Sequence, residues 1–204
     1  MGELSFDPAA FERRVMERVE RGEIDAAATQ TIQHYGSEIY ALLYTIHRSP
    51  EDADDVFSMF CEKLWKGLKG FQGRSTLRTW VHTVAWSASL RFRTQKTGRN
   101  EVRITDTQIS ELAKRVRTET ASRLLGERRN RLRELRQTLP QEDQLLLVLR
   151  VERELDWNDL ARVMNPDVEL DDAGLRRESA RLRKRYQAVK ERLRKLIRED
   201  AGEP

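Results

Sequence analysis

The sequence predicts an all-α protein: two small helical bundles joined by a linker, the C-terminal one a helix-turn-helix with a long recognition helix. Three observations carry that prediction. Apolar residues recur at three- and four-residue steps through most of the chain, the spacing of one helix face. Proline and glycine are scarce, 5 and 10 in 204 residues, and cluster at a few candidate breaks. Only 38% of residues are hydrophobic and 35% are charged, which suits thin cores better than one large core.

Residues 1–22 read as an N-terminal extension in which Phe6, Phe11, Val15 and Val19 have rough helical spacing. A first bundle is expected over 23–98. Its opening helix runs from Ile24 to His47, with Ile24, Ala28, Ile32, Tyr35, Ile39, Leu42, Leu43 and Ile46 on one face. Ser49-Pro50 ends it and opens a second helix, where proline is tolerated in the first turn and Glu51, Asp52 and Asp54 complement the helix dipole. Ala53, Val56, Phe57, Phe60 and Leu64 form its apolar stripe, leaving Asp52, Asp55, Ser58, Met59 and Glu62 on an exposed face. Gly67, Gly70 and Gly73 then punctuate a loop. Ser75 or Thr76 caps a third helix that turns Leu77, Trp80, Val81, Val84 and Ala88 inward, with Trp86 off that stripe.

Residues 99–128 are weakly patterned; Leu112, Val116 and Leu124 could support a helix, but the segment is polar enough to be a linker that orders only on a partner. A second bundle is expected over 129–204. Leu132, Leu135 and Leu139 lead to a dense apolar patch at 145–151, continued by Leu155, Leu160, Val163 and Met164 until Asn165-Pro166 breaks the chain. In the last helix Leu175, Ser179, Leu182, Tyr186, Val189, Leu193 and Leu196 repeat at steps of four and three, and Asp171 or Asp172 is a suitable N-cap.

The formal net charge is +4, but the charge is segregated. Acids gather at 51–55 and 169–172, bases at 91–103 and 176–198, which suggests one partner that accepts carboxylates and another that offers phosphates. Cys61 is the only cysteine, so no intramolecular disulfide can form and a reducing compartment is expected. No apolar stretch approaches the ~20 residues that cross a bilayer, and the N-terminus has no signal core. A cytoplasmic location without a membrane partner follows as the expectation. His34, His47 and His82 are scattered; no zinc spacing, nucleophile-base set or glycine-rich phosphate loop is visible. No catalytic residue, metal or cofactor is expected.

Three constellations remain. The last helix is ringed by Arg176, Arg177, Arg181, Arg183, Lys184, Arg185 and further bases, whereas a solvated coiled-coil surface normally mixes signs. Nucleic acid would neutralise it, and a short preceding helix (about Trp157–Met164) gives helix-turn-helix order; a dimerising or solvated helix is the alternative. The string Phe71-Gln-Gly-Arg-Ser-Thr-Leu-Arg-Thr-Trp80, followed by Trp86, Arg91, Phe92 and Arg93, sets aromatic rings beside cations, as a single-stranded nucleic acid site requires. Phe71 and Trp80 can equally be core. The acidic face of the 51–66 helix either docks a basic partner or is simply solvated.

Read together, these strings resemble the extracytoplasmic-function (ECF) sigma factors, from about Ile24 to Arg198. Asp52-Ala-Asp-Asp-Val-Phe-Ser-Met-Phe-Cys-Glu-Lys-Leu-Trp65 is similar to the family's polymerase-binding helix, and Phe71–Trp80 to its promoter-melting loop and the start of its −10-reading helix. The stretches Leu139–Gln144 and Leu155–Ala161 resemble the start of its −35-binding domain, and Leu182–Leu193 the end of its recognition helix. The resemblance implies a non-catalytic subunit that binds core RNA polymerase (beta-prime clamp and beta flap) and promoter DNA, and that an anti-sigma factor can hold inactive. Asp52, Asp55, Ser58, Met59 and Glu62 would dock on the clamp. Gln72, Arg74, Ser75, Thr76, Arg78, Trp80, Trp86, Arg91 and Arg93 would contact the opened −10 element. Arg176, Arg177, Arg181, Arg183, Lys184 and Arg185 would approach the −35 duplex. A stand-alone helix-turn-helix regulator and a non-catalytic helical adaptor are the competing functions. Two departures stand out: Ser58 replaces the family's usual glutamine, and the stretch 165–181 is about eleven residues longer than the short turn of this motif requires.

Overall fold

The computed structural model describes residues 7–95, 107–126 and 131–201. Among them are nine α-helices and no strand. The boundaries expected at 98/99 and 128/129, and Phe6, lie outside the described residues.

The N-terminal extension holds α1 (Pro8–Glu20), opened by Asp7, whose Oδ1 accepts from the Ala9 amide at 2.9 Å. Phe11 and Val15 are buried on α2 (Ile24–His47), the Phe11 ring lying 4.3 Å from His34 and edge-on to Tyr35. Gly22, at φ +77°, supplies the left-handed residue that turns the chain between them. α2 is buried on nearly every side because α1, α3 (Pro50–Leu68), α4 (Leu77–Gln95) and α5 (Thr107–Gly126) all pack against it. The stripe expected for α3 is buried in full, and Ser49 caps the helix through the Asp52 amide.

α5 corrects the expected linker. Ile109, Leu112, Ala113, Val116 and Thr120 are buried, and the helix lies against α2 and α3 as part of the first core. Close approach is possible because Gly36 of α2 has no side chain: a Cβ there would meet Val116 Cγ1 at 3.1 Å. The same packing corrects Met59, expected on an exposed face but only 4% exposed within that core.

The later helices are α6 (Arg131–Gln137), α7 (Gln141–Leu147) running into a π-helical turn (Val148–Glu152), α8 (Trp157–Met164) and α9 (Asp172–Ala201). Asp156 caps α8 with bonds to the Asn158 and Asp159 amides, and Asp171 caps α9 through the Gly174 amide at 2.7 Å. The 30-residue α9 is about 45 Å long. Leu175, Ser179, Leu182 and Val189 of its repeat are buried, and Ser179 Oγ lies within hydrogen-bond distance of both the Trp157 carbonyl and Asn158 Oδ1, tying α9 to α8.

These helices do not stand apart from the first bundle. One apolar cluster joins Leu42, Ile46 and Trp86 to Leu145, Leu149, Leu155, Leu160, Leu175 and Leu182. The cause is that α2 and α4 each carry two apolar faces. Leu77, Val81, Ala85 and Ala88 of α4 enter the first core, while Trp86 enters the second. Trp86, expected off the core, is therefore 3% exposed. At the end of α2, Arg48 adopts a left-handed conformation (φ 62°) and donates to the Leu139 carbonyl, while Gln141 Nε2 donates to the Ile46 carbonyl, both at 3.1 Å.

Candidate nucleic-acid interface

The loop between α3 and α4 is a built turn. The Gly70 and Phe71 amides donate back to the Gly67 and Leu68 carbonyls, and Gly73 sits at φ +67°, where a Cβ would be strained. Thr76, not Ser75, caps α4: its Oγ1 accepts from the Thr79 amide at 3.1 Å. Phe71 is buried and its ring lies 5.1 Å from that of Trp80, which is half-buried and packed under Gly67. Gln72, Arg74 and Thr76 are exposed above this aromatic floor, with Ser75 half-exposed beside them and Arg91 and Arg93 exposed farther along α4. Gly70, Phe71, Gln72, Arg74, Ser75 and Trp80 form one wall of an open cleft of about 370 Å³; Pro166, Asp167, Val168 and Glu169 form the other.

Trp86 is buried, and Arg78, partly exposed, is engaged by contacts within the molecule. Arg78 donates to Glu38 of α2 at 2.9 Å and to the Arg153 carbonyl at 3.1 Å. Glu38 also faces His82 Nε2 at 3.2 Å and Arg153 Nε at 3.4 Å, while His82 Nδ1 donates to the Arg78 carbonyl. Burial opposes the Glu38 charge, but His82 and Arg78 outweigh it and hold the carboxyl down to about 2. The cluster therefore ties α2 and α4 to the turn before α8.

Sequence reasoning missed Glu38, Arg153 and Lys63. Glu38 had a signal: it is a lone carboxylate in the middle of an apolar helix. Lys63 bridges α3 to α4 through Ser87 Oγ at 2.7 Å. Burial pulls its ammonium below the usual lysine range, helped by Arg91 and opposed by Asp167.

On α3, Asp55 is exposed, and Asp52, Ser58 and Glu62 are half-exposed. Met59, as described, is not among the presented residues. Ser58 accepts from Arg117 of α5 at 2.6 Å, and Arg117 also reaches Asp54. The small serine thus receives an arginine from the chain itself. Glu62 pairs with Lys66 on the same helix.

α9 divides its cations. Arg176, Arg177 and Lys184 are exposed. Arg181, also exposed, pairs with Glu178, and the Arg183 guanidinium lies 5.5 Å from the Trp157 ring centre. Arg185 is half-buried and forked between Asp143 (2.6 Å) and Glu142 (2.8 Å), a tie between α9 and α7. No helix among the described residues is long and apolar enough to cross a membrane, and no cluster among them is suited to a metal ion.

Residues 31–99 match the family described as Sigma-70 region 2. This stretch covers most of α2, all of α3, the loop and α4. Over 56 residues the chain is 38% identical to the ECF RNA polymerase sigma factor SigG of Mycobacterium tuberculosis, in strains CDC 1551/Oshkosh and ATCC 25618/H37Rv. The match covers 28% of this chain and 15% of the length of these curated relatives.

Proposed function

We propose that this chain, whose residues 31–99 are a Sigma-70 region 2 domain, is an ECF-type sigma factor that joins core RNA polymerase, recognises promoter DNA and opens its −10 region. The observation that carries this reading is the coincidence of the family match with the loop at 71–76. There, exposed Gln72, Arg74 and Thr76 stand over the half-buried Trp80 ring, a stacking surface with hydrogen-bonding and cationic groups at its rim. Arg91 and Arg93 continue the positive track along α4. The role is one of binding, not catalysis.

The α3 face of Asp52, Asp55 and Glu62 offers carboxylates to the polymerase clamp, with Ser58 reachable only if Arg117 yields. In the C-terminal half we assign α8 and α9 as a helix-turn-helix whose second helix approaches the −35 duplex through Arg176, Arg177 and Lys184, with Arg181 and Arg183 available by exchange of weak intramolecular contacts. Trp86 reaches DNA only if the C-terminal helices move away, and Arg78 only by giving up Glu38 or the Arg153 carbonyl.

Run-off transcription with purified core polymerase on a panel of promoter fragments tests the proposal. Promoter-dependent transcripts are expected only when the protein is added. A core enzyme that gains no promoter-directed initiation from it defeats the reading.

A further inference from the structure

The proposed function gives no task to the long connection between α8 and α9. It is an ordered segment, tied at one end by Asn165 Nδ2 to the Ala161 carbonyl and at the other by the Asp171 cap. It does not merely bridge two helices. It runs across to the loop before α4, where Asp167 and Glu169 face Phe71, Gln72, Arg74 and Trp80 across the cleft. The Glu169 carboxylate pairs with the Arg74 guanidinium. Asp167 also favours the charge on the Lys63 ammonium, against the larger effects of burial and Arg91. A carboxylate thus sits on Arg74, a cation of the loop wall, and a second acid, Asp167, lines the same cleft.

Magnitudes decide what the segment can do. Arg74 and Glu169 are 63% and 77% exposed, so their pair contributes at most about 1 kcal/mol. It cannot hold the two halves together; the apolar packing of α4 against α8 does that. The acidic segment is instead delivered to the cleft by that packing and held there lightly. A weakly held occupant is easily displaced by a polyanion, and its effect is to raise the strand concentration needed for entry.

We propose that residues 166–169 are an acidic plug that occupies the single-strand cleft in the free chain and withdraws when nucleic acid enters. This rests on the reading of the 71–76 loop as the −10 strand site. Discrimination against DNA by the free protein would then be written into its own helix connection.

Anisotropy of a fluorescein-labelled, mixed-sequence single-stranded DNA, titrated with the full chain, tests the plug. Asp167→Asn/Glu169→Gln removes two exposed acids from the cleft. Glu17→Gln/Glu20→Gln removes two exposed acids from α1 and corrects for net charge. The plug predicts that the first variant binds about fivefold tighter than the second, equivalent to roughly 1 kcal/mol, and that the gap narrows as salt rises. Equal affinity of the two variants overturns it. Run-off transcription by the Asp167→Asn/Glu169→Gln variant separates the failures: transcripts with equal affinities mean that the loop's role stands and the plug falls, while loss of both assays removes both.

Discussion

Arg78 and Trp86 of α4 and the leading cations of α9 read alike along the chain as nucleic-acid contacts but differ in three dimensions. On α4, Arg78 is held by Glu38 and the Arg153 carbonyl, and Trp86 is buried beneath the later helices. On α9, Arg176, Arg177 and Lys184 project into solvent. The difference teaches that a basic or aromatic residue on a helix reports a surface only when every partner of that helix is known. α4 has two packed faces, whereas α9 packs along one stripe.

The largest expected effect tests the buried side of this comparison. Trp86→Ala should lower stability by about 3–5 kcal/mol in urea unfolding, the cost of emptying a large aromatic site. A change below about 0.5 kcal/mol, typical of a surface position, would break the comparison by placing Trp86 outside the shared cluster.

Next comes Glu38→Gln, which leaves Arg78, His82 and Arg153 without their shared anion. A loss of roughly 2 kcal/mol at neutral pH is expected for this partly buried cluster. The carboxyl is depressed from 4.5 to about 2, so its contribution is present above pH 4.5 and disappears as pH falls toward 2. Unfolding free energies measured across that window should fall more steeply for the wild type than for the variant. Parallel curves would remove Glu38 from the tie between the halves.

The smallest stability effect belongs to the exposed side. Arg176→Ala/Arg177→Ala should change stability by less than about 0.5 kcal/mol, yet lower the salt slope of duplex-DNA binding by about 2. Arg185→Ala should do the reverse, costing about 1 kcal/mol through Asp143 and Glu142 with little change in that slope. Should Arg185→Ala alter the slope as much as the double variant, the division of α9 into free and structural cations would be wrong.

The same contrast explains what could be read from the chain. α2, α3 and α9 were legible because their apolar periods are long and uninterrupted, and even the early start of α9 at Asp172 follows from the repeat that begins at Leu175. α5 was not. Its buried face includes small Ala113 and polar Thr120, and its docking depends on the missing side chain of Gly36, some eighty residues away in the chain. At the site, the string of aromatics and cations from Phe71 to Trp80 identified the loop and its floor. The fates of Arg78 and Trp86 were hidden because Glu38, Arg153 and Leu160 are distant in sequence and meet them only through tertiary packing.

The end of α2 has a consequence for how the chain is made. The Ile46 carbonyl is capped by Gln141, and Arg48 finds its acceptor at Leu139, partners 95 and 91 residues farther along. At translation rates of about 5–20 residues per second, the ribosome needs roughly 5–20 s to supply them. For that interval the nascent first half carries Leu42, Ile46 and, once it emerges, Trp86 without the residues that later cover them. Slowing elongation between residues 90 and 140 should therefore lengthen the protein's dependence on chaperones, whereas slowing it before Leu42 is made should not.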